Sequence, residues 1–357
     1  MINFIWSPGT RLPAGTGGTE NYTVGQTREL NRRGIAAQII TTGLGTRDGR
    51  EEFVDIPFKS LQSEADIATL EGIMIFINDE TGTTKTTGPA FAIMHIPPPL
   101  REAARPATLK ALEGRTLITT SRYSAQLWAD YIPLPRADVH VVYPFAEPCF
   151  AAQKRERNDT TATRILFAGR LSAQKGIYTF LEALHRDTLD ANPNLTFTVT
   201  TAGADKPEGQ LIKLLLDAHP NVTVVTSRKT PATMAELMAV QDIVVMPSNS
   251  QYWHETFGIV SIEAQHSGCW VVASDDGGLP ETNCGGVILV EPDDSEALAQ
   301  GIVLAISKGP LPDSIRRAAG NLYTVEQSVD NLLQVLYPVE ELVVRPVKKI
   351  MVKSLIN

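Results

Sequence analysis

Seven residues separate two glutamates in the segment Glu255-Thr-Phe257-Gly258-Ile259-Val-Ser-Ile-Glu263. At roughly 100° for each residue of a helix, the two carboxylates would stand about 80° apart, so one helical face cannot present both. We therefore expect Glu255 to precede the helix. The backbone N–H groups at the helix N-terminus, those of Phe257, Gly258 and Ile259, then favour an anion such as a phosphate. An ordinary amphipathic helix with an acid before it is the alternative.

A second candidate site is basic and follows an apolar run, in Phe167-Ala-Gly169-Arg170-Leu-Ser-Ala-Gln-Lys175-Gly176. Arg170 and Lys175 leave the end of a predicted strand beside the start of a helix. Two cations at that place can hold both phosphates of a diphosphate. A solvated basic turn is the alternative for either side chain.

Glycines precede the first predicted helix, in Gly15-Thr-Gly17-Gly18-Thr-Glu20. Glycine lets a ligand approach backbone N–H groups closely, and the helix N-terminus that follows favours an anion. The spacing is not GxGxxG and no acidic residue ends the second predicted strand, which argues against a nicotinamide-dependent dehydrogenase. A flexible loop with glycines for turns is the alternative.

Two histidines are further candidates. His95 ends a predicted strand at its carboxyl edge, and this position is equally compatible with a structural role and with a role in a site. His254 directly precedes Glu255 in a long loop, 248–254, whose aromatic and polar groups either contact a ligand or close the loop.

Short apolar runs separated by helical stretches predict two open parallel sheets that position these side chains. The predicted strands are 3–6, 36–41, 73–77, 91–95, 117–120 and 139–143 in the first half, and 164–168, 195–200, 222–226, 242–246, 270–273 and 286–290 in the second. Helices are predicted at 19–33 and 177–184 among others. Ligands of open sheets bind at the carboxyl ends of the strands, so two Rossmann-like domains should face each other across a cleft.

The polar stretch 144–163 separates the two halves. We predict a first domain over 1–150, a second over 151–335, and a tail over 336–357 that packs back on the first domain. Lysines alternate with apolar residues in the tail, so it could lie on an anionic membrane surface. A solvated tail is the alternative that the acidic net charge favours.

Composition limits the classes of function. A formal net charge of −8 opposes binding to nucleic acid, because phosphate contacts need clustered lysine and arginine. No apolar run approaches the roughly 20 residues of a membrane-spanning helix. Cys149, Cys269 and Cys284 have no CxxC spacing, which indicates neither a disulfide framework nor a zinc site and favours a reducing cytoplasm.

The order of these motifs resembles the retaining glycosyltransferases of family 4, also called glycosyl transferases group 1. Four further segments agree with the resemblance: Thr119-Thr-Ser-Arg122 before a helix, Val141-Val-Tyr-Pro144 at the linker, Pro247-Ser248 after a strand, and Gly277-Gly-Leu-Pro-Glu-Thr282. The similarity covers most of the chain. It implies the GT-B fold, a nucleotide-sugar donor held by the second domain, an acceptor held mainly by the first, and transfer with retention at the anomeric carbon.

The resemblance also implies how the donor diphosphate is held. Gly17 and Gly18 would touch its phosphate from the first domain, while Gly169, Arg170 and Lys175 would bind and neutralise it from the second. No divalent metal is implied, and the chain has no DxD pair in a donor loop. The adjacent aspartates at 275–276 and 293–294 are interpreted as loop residues.

The remaining implied roles concern the sugar and the nucleoside. Glu255 would bind the transferred sugar and Glu263 the ribose hydroxyls, with His95 near the sugar and His254 lining the same site. Ser227 stands in the region that faces the base, where the family usually has a glycine, so the identity of the base stays open.

We therefore predict a cytoplasmic enzyme that transfers a sugar from a UDP- or GDP-sugar to a hydroxyl of a glycan, a lipid-linked saccharide or a small metabolite. The resemblance implies a front-face mechanism, in which the departing phosphate takes the acceptor proton and no protein base is needed. The alternatives are another nucleotide-sugar enzyme, such as a 2-epimerase or a phosphorylase, and a non-catalytic sugar-nucleotide sensor or partner subunit. The loops 43–66 and 78–90, expected to contact the acceptor, carry no motif that names it.

Overall fold

The computed structural model describes residues 1–6, 9–12, 17–79, 82, 85–155, 162–190, 192–251 and 253–338. These residues form two α/β units, each built on a parallel sheet with helices packed against it. The predicted pair of open parallel sheets is therefore confirmed.

The first sheet has seven strands in the order β3-β2-β1-β4-β5-β6-β7. The elements of residues 1–152 in chain order are β1 Ile2–Ile5, α1 Gly18–Arg32, β2 Ala37–Thr42, β3 Phe58–Leu61, β4 Ile73–Ile77, β5 Ala90–Met94, α2 Arg105–Leu112, β6 Thr116–Thr119, α3 Arg122–Tyr131, β7 Val139–Val141 and α4 Pro148–Ala152. The sequence analysis missed β3. This edge strand is short and only Leu61 in it is buried, so it lacks the apolar run that marks the other strands.

The second sheet has six strands in the order β10-β9-β8-β11-β12-β13. The elements that follow α4 in the chain are β8 Thr163–Phe167, α5 Ile177–Leu184, α6 Asp187–Asp190, β9 Leu195–Thr200, α7 Pro207–Asp217, β10 Val222–Val225, α8 Pro231–Ala239, β11 Ile243–Met246, α9 Ile259–His266, β12 Trp270–Ser274, β13 Val287–Val290, α10 Ser295–Ser307, α11 Asp313–Ala319 and α12 Val325–Leu336.

Both sheets reverse their strand order at a central strand, β1 in the first and β8 in the second. Open α/β sheets bind ligands at this switch point, outside the carboxyl ends of the strands. Gly17 follows β1 and Gly169 follows β8. The two glycine-containing segments therefore start from the place in each domain where a ligand is expected.

The chain crosses between the domains at points other than the predicted boundaries. Helix α4 already packs in the second domain, where Phe150 is fully buried against its core. Helix α12 returns to the first domain and buries Val329 and Leu332 in that domain's core. The chain therefore returns to the first domain before the predicted tail begins, because the apolar face of α12 packs against α1. Residues 339–357 of the predicted tail lie outside the described residues.

Among the described residues, no helix is long and apolar enough to cross a membrane.

Candidate active site

A tight turn between β8 and α5 positions Lys175. It ends a short 3-10 helix, Ala173–Lys175, and Gly176 follows with φ +69°. A side chain at Gly176 would overlap the carbonyl oxygen of Pro247, which follows β11. The glycine therefore lets two neighbouring strand ends approach each other, and Lys175 reaches the loop that carries Glu255.

Glu255 is a buried carboxylate, with 7% of its surface exposed. It forms an ion pair with Lys175 and accepts a hydrogen bond of 2.9 Å from the hydroxyl of Ser248. Burial alone would raise the pKa of Glu255. The charge of Lys175, the two hydrogen bonds and the more distant Arg170 outweigh burial, so the pKa lies below its usual value and the side chain is ionised at neutral pH.

A small pocket opens beside this ion pair. Gly169, Lys175, Ser248 and Glu255 line it together with apolar residues that include Val260. Arg170, the residue after Gly169, is exposed next to it. The structure therefore brings together the predicted basic motif and the first glutamate of the predicted pair.

Helix α9 begins at Ile259, with Gly258 as its N-cap at φ +102°. Glu255 precedes the helix and Glu263 lies within it, as the periodicity predicts. The free N-terminus starts later than expected, however. Phe257 precedes the cap, and its side chain, 2% exposed, is part of the apolar core.

The N-terminus of α1 lies opposite that of α9. A Cβ at Gly18 would stand 3.5 Å from a methyl group of Ile259. Gly17 is the N-cap of α1, and the carboxylate of Glu20 folds back against it. Burial raises the pKa of Glu20, while its own backbone N–H and the charge of Arg170 act in the opposite direction. Two helix N-termini and Arg170 thus surround one part of the cleft.

Glu263 is also buried, with 6% of its surface exposed. Burial, and the negative charge of Glu147 nearby, raise its pKa to about 8. The second predicted glutamate is therefore mostly protonated at neutral pH, in contrast to Glu255.

His95 follows β5 and is fixed through its backbone. Its N–H donates to Asn78 at 2.7 Å and its carbonyl accepts from the hydroxyl of Thr256 at 2.7 Å, which ties it to the residue after Glu255. The ring meets Tyr22 edge-on at 4.6 Å, and its buried Nε2 has no hydrogen-bond partner among the residues that the structure describes. Burial lowers the pKa of His95 to about 3, so the ring is neutral.

His254 does not line the pocket that contains Glu255. Its Nδ1 lies 2.8 Å from the carboxylate of Asp276, and its ring lies 6.1 Å from that of Tyr123 in the first domain. Asp276 thus has a specific partner in addition to its place in a loop. Asp294 has the ordinary loop role that was predicted, because it caps α10.

Ser227 follows β10 at the same sheet edge. Its backbone N–H donates to the hydroxyl of Thr201, at the end of β9, over 3.1 Å. The described contacts do not join Ser227 to the Lys175–Glu255 pair. Within the described part of the chain, no cluster of three or more histidine, cysteine or acidic side chains could hold a metal ion.

The sequence analysis missed a carboxylate that joins the domains. Glu281 of the second domain accepts hydrogen bonds from the backbone N–H groups of Arg122 and Tyr123, at 3.0 and 2.8 Å. It also accepts one of 2.7 Å from the hydroxyl of Tyr143. Glu281 therefore caps helix α3 of the other domain. The motif that contains it was recognisable in the sequence, but its partner was not.

Comparison with known proteins agrees with this architecture. Residues 150–321 match the family described as glycosyl transferases group 1. The chain is 32% identical over 207 residues to the D-inositol 3-phosphate glycosyltransferase of Corynebacterium jeikeium, which covers 56% of this chain and 47% of that protein. It is 30% identical over 154 residues to the lipopolysaccharide 1,2-N-acetylglucosaminetransferase of Salmonella typhimurium, covering 41% and 40%. The chain thus spans about half the length of the curated relatives it matches.

Solved structures resemble the whole fold. A glycosyltransferase of Rickettsia africae superposes with a TM-score of 0.76 at 17% identity, over 94% of this chain and 97% of that one. Anabaena HepE in complex with UDP and glucose superposes with a TM-score of 0.73 at 15% identity, over 94% and 99%.

The fold is therefore that of the GT-B glycosyltransferases, as the motif order predicted. The match to the family of glycosyl transferases group 1 lies in the second domain. Membership of the retaining family 4 within this class stays a prediction.

Proposed function

We propose that this protein is an enzyme that transfers a sugar from a nucleotide-sugar to an acceptor hydroxyl, with the nucleoside diphosphate as the leaving group. One observation carries the proposal: the buried, ionised Glu255 is paired with Lys175 beside Arg170, where the N-termini of α1 and α9 meet. Cations and helix N-termini suit a diphosphate, and a buried carboxylate suits sugar hydroxyls.

In this proposal, Lys175 and Glu255 exchange their mutual ion pair for contacts with the donor. In the free protein Lys175 and Glu255 satisfy each other. A diphosphate would take hydrogen bonds from Lys175 and Arg170 and from the amides that begin α9. The oxygens of Glu255 would then be available to accept hydrogen bonds from the hydroxyls of the transferred sugar.

We infer transfer with retention and without a protein nucleophile. Among the described residues that line the pocket, Glu255 is the carboxylate, and in this proposal its oxygens accept hydrogen bonds from the sugar hydroxyls and do not attack the anomeric carbon. A departing phosphate held by cations can itself take the acceptor proton. Electrostatic stabilisation of that leaving group is then the main contribution of the protein.

The comparisons suggest where to begin with substrates. HepE is a fold relative that holds UDP and glucose, and the curated relatives are named for transfer to an inositol phosphate or a lipopolysaccharide. We therefore propose UDP as the first donor nucleotide to test, with GDP next, and a polyhydroxylated acceptor.

Thermal unfolding with UDP, GDP, ADP and their common sugar conjugates tests this proposal, because a ligand of the folded state raises the melting temperature. We expect one nucleotide to stabilise the protein and its sugar conjugate to be hydrolysed slowly. NMR of the released sugar then reports its anomeric configuration, which should match that of the donor. Binding without any turnover would favour the sensor or partner subunit, and no stabilisation by any nucleotide would contradict the proposal.

A further inference from the structure

The loop before α9 turns two consecutive side chains in different directions. Glu255 points to Lys175 and Ser248, inside the small pocket where we propose that the donor binds. His254 points to Asp276, whose two carboxylate oxygens each lie 2.8 Å from Nδ1. Because a carboxylate only accepts hydrogen bonds, Nδ1 carries the hydrogen of this bond. The other ring nitrogen, Nε2, is then left to accept a hydrogen bond when the ring is neutral.

The imidazole of His254 lies at the interface between the two domains. Tyr123, in the first turn of α3, has its ring 6.1 Å from that of His254. Burial and the charge of Asp276 both raise the pKa of Tyr123. The His254 side chain is 46% exposed and that of Asp276 15%, so the ring is open to solvent while its partner is covered.

The segment that carries His254 is anchored on both sides. Before it, the hydroxyl of Ser250 donates to Asp293 at 2.6 Å. After it, the N–H of Gly278 donates to the carbonyl of Glu255 at 2.7 Å. Ser250 and Glu255 are thus each tied to another loop, and Asp276 orients the imidazole, which is how a binding group is arranged for use.

We propose that His254, Asp276 and Tyr123 form a binding site for the ring of a polyhydroxylated acceptor, a sugar or a cyclic polyol. The inference rests on the proposed transferase function. Tyr123 comes from the domain expected to hold the acceptor, and His254 adjoins Glu255 of the donor pocket. Nε2 of His254 accepts a hydrogen bond from an acceptor hydroxyl, and Tyr123 provides an aromatic surface and a second polar group. Asp276 is a positioning residue that acts through His254.

Saturation-transfer NMR tests the site with a mixture of myo-inositol, D-glucose, D-mannose and N-acetylglucosamine. The full chain is studied with a saturating concentration of the nucleotide that stabilises it most. We expect at least one of the four compounds to bind, with about tenfold weaker affinity in His254→Ala and Asp276→Asn, as the loss of an oriented hydrogen bond implies. The double variant should be no weaker than His254→Ala, because Asp276 acts only through the imidazole.

His185→Ala is the matched control, since His185 is exposed at the end of α5 in the same domain and should not affect binding. Equal binding by His254→Ala and the unchanged protein, or binding of none of the four compounds, overturns the inference. The nucleotide-induced change in melting temperature is recorded in the same samples. Its absence would contradict the proposed transferase function, whereas its presence with unaltered polyol binding contradicts this site alone.

Discussion

Lys175 has two tasks in the proposed function, because it neutralises buried Glu255 in the free protein and the diphosphate during transfer. We expect Lys175→Ala to lower kcat at least about 100-fold, the usual loss when one group that stabilises transition-state charge is removed. Steady-state kinetics with the best donor measures this effect. Undiminished turnover would remove Lys175 from the diphosphate site.

The same variant leaves a buried carboxylate without its partner, so loss of activity must be separated from loss of stability. The double variant Lys175→Met with Glu255→Gln removes both charges and keeps side chains of similar size. We expect it to recover most of the free energy of unfolding but none of the turnover. Recovery of both would mean that the pair serves only the fold.

Glu263 supplies a prediction about pH. With a pKa of about 8 in the free protein, it is protonated at pH 7. If its carboxylate accepts hydrogen bonds from both ribose hydroxyls, as the resemblance implies, nucleotide binding must release a proton. Affinity for the nucleotide should therefore rise from pH 7 to about pH 8 and level off above it. Calorimetry in two buffers of different ionisation enthalpy measures the released proton.

Glu263→Gln should abolish this proton release and flatten the pH dependence. Nucleotide binding that stays independent of pH in the unchanged protein would contradict the ribose role. The free protein offers an independent check of the raised pKa. Between the ordinary value of 4.5 and about 8, folded Glu263 keeps a proton that the unfolded chain has released, so its contribution to stability falls as the pH rises through this range.

The turn between β8 and α5 determines where Lys175 stands, and Gly176 is its critical residue. Gly176→Ala would place a side chain on a left-handed backbone conformation, which is strained, and would make its Cβ overlap the carbonyl oxygen of Pro247. We expect it to lower the free energy of unfolding by at least about 3 kcal/mol, at the upper end of ordinary substitutions. Urea unfolding followed by circular dichroism measures this loss.

Gly309 is the matched control for that turn, because it has the same φ of +69° in the same domain and nothing within 4 Å of an added Cβ. Gly309→Ala should cost only the strain of the left-handed conformation, about 1 kcal/mol. An equal loss of unfolding free energy in the two variants would show that the close approach of Pro247 to Gly176 does not affect stability.

For the molecule as a whole, Glu281 is a carboxylate that joins the two domains beside the site, together with the Thr256–His95 hydrogen bond. Glu281→Ala removes acceptors for the N–H groups that begin α3 and for the hydroxyl of Tyr143. We expect the cleft to open, with a larger radius of gyration in small-angle X-ray scattering and a higher KM for the donor. Each domain keeps its own core, so the melting temperature should change little.

Glu182→Ala serves as the control, since Glu182 lies on the exposed face of α5, away from α3. It should change neither the radius of gyration nor the KM. An unchanged radius and KM in Glu281→Ala would contradict the view that this carboxylate keeps the cleft closed.

Much of this architecture follows from local sequence. The strands 73–77 and 195–200 and the helix 177–184 were predicted with the bounds that the structure has. Apolar runs and helical periodicity report on neighbours in the chain, and these neighbours decide which backbone conformation buries the apolar side chains. The same periodicity correctly placed Glu255 before α9 and Glu263 within it.

Partners across the fold could not be predicted in this way. The apolar stripe of α12 shows that the helix is packed, but the return to α1 depends on the path of the whole chain. The direction of His254 towards Asp276, and the capping of α3 by Glu281, join residues far apart in sequence. The sequence by itself determined the strands other than β3 and the motifs of the candidate site, and the order of those motifs indicated the GT-B class. Only the tertiary structure decided which charges meet and which are buried, because pairing and desolvation depend on residues that the chain brings together from both domains.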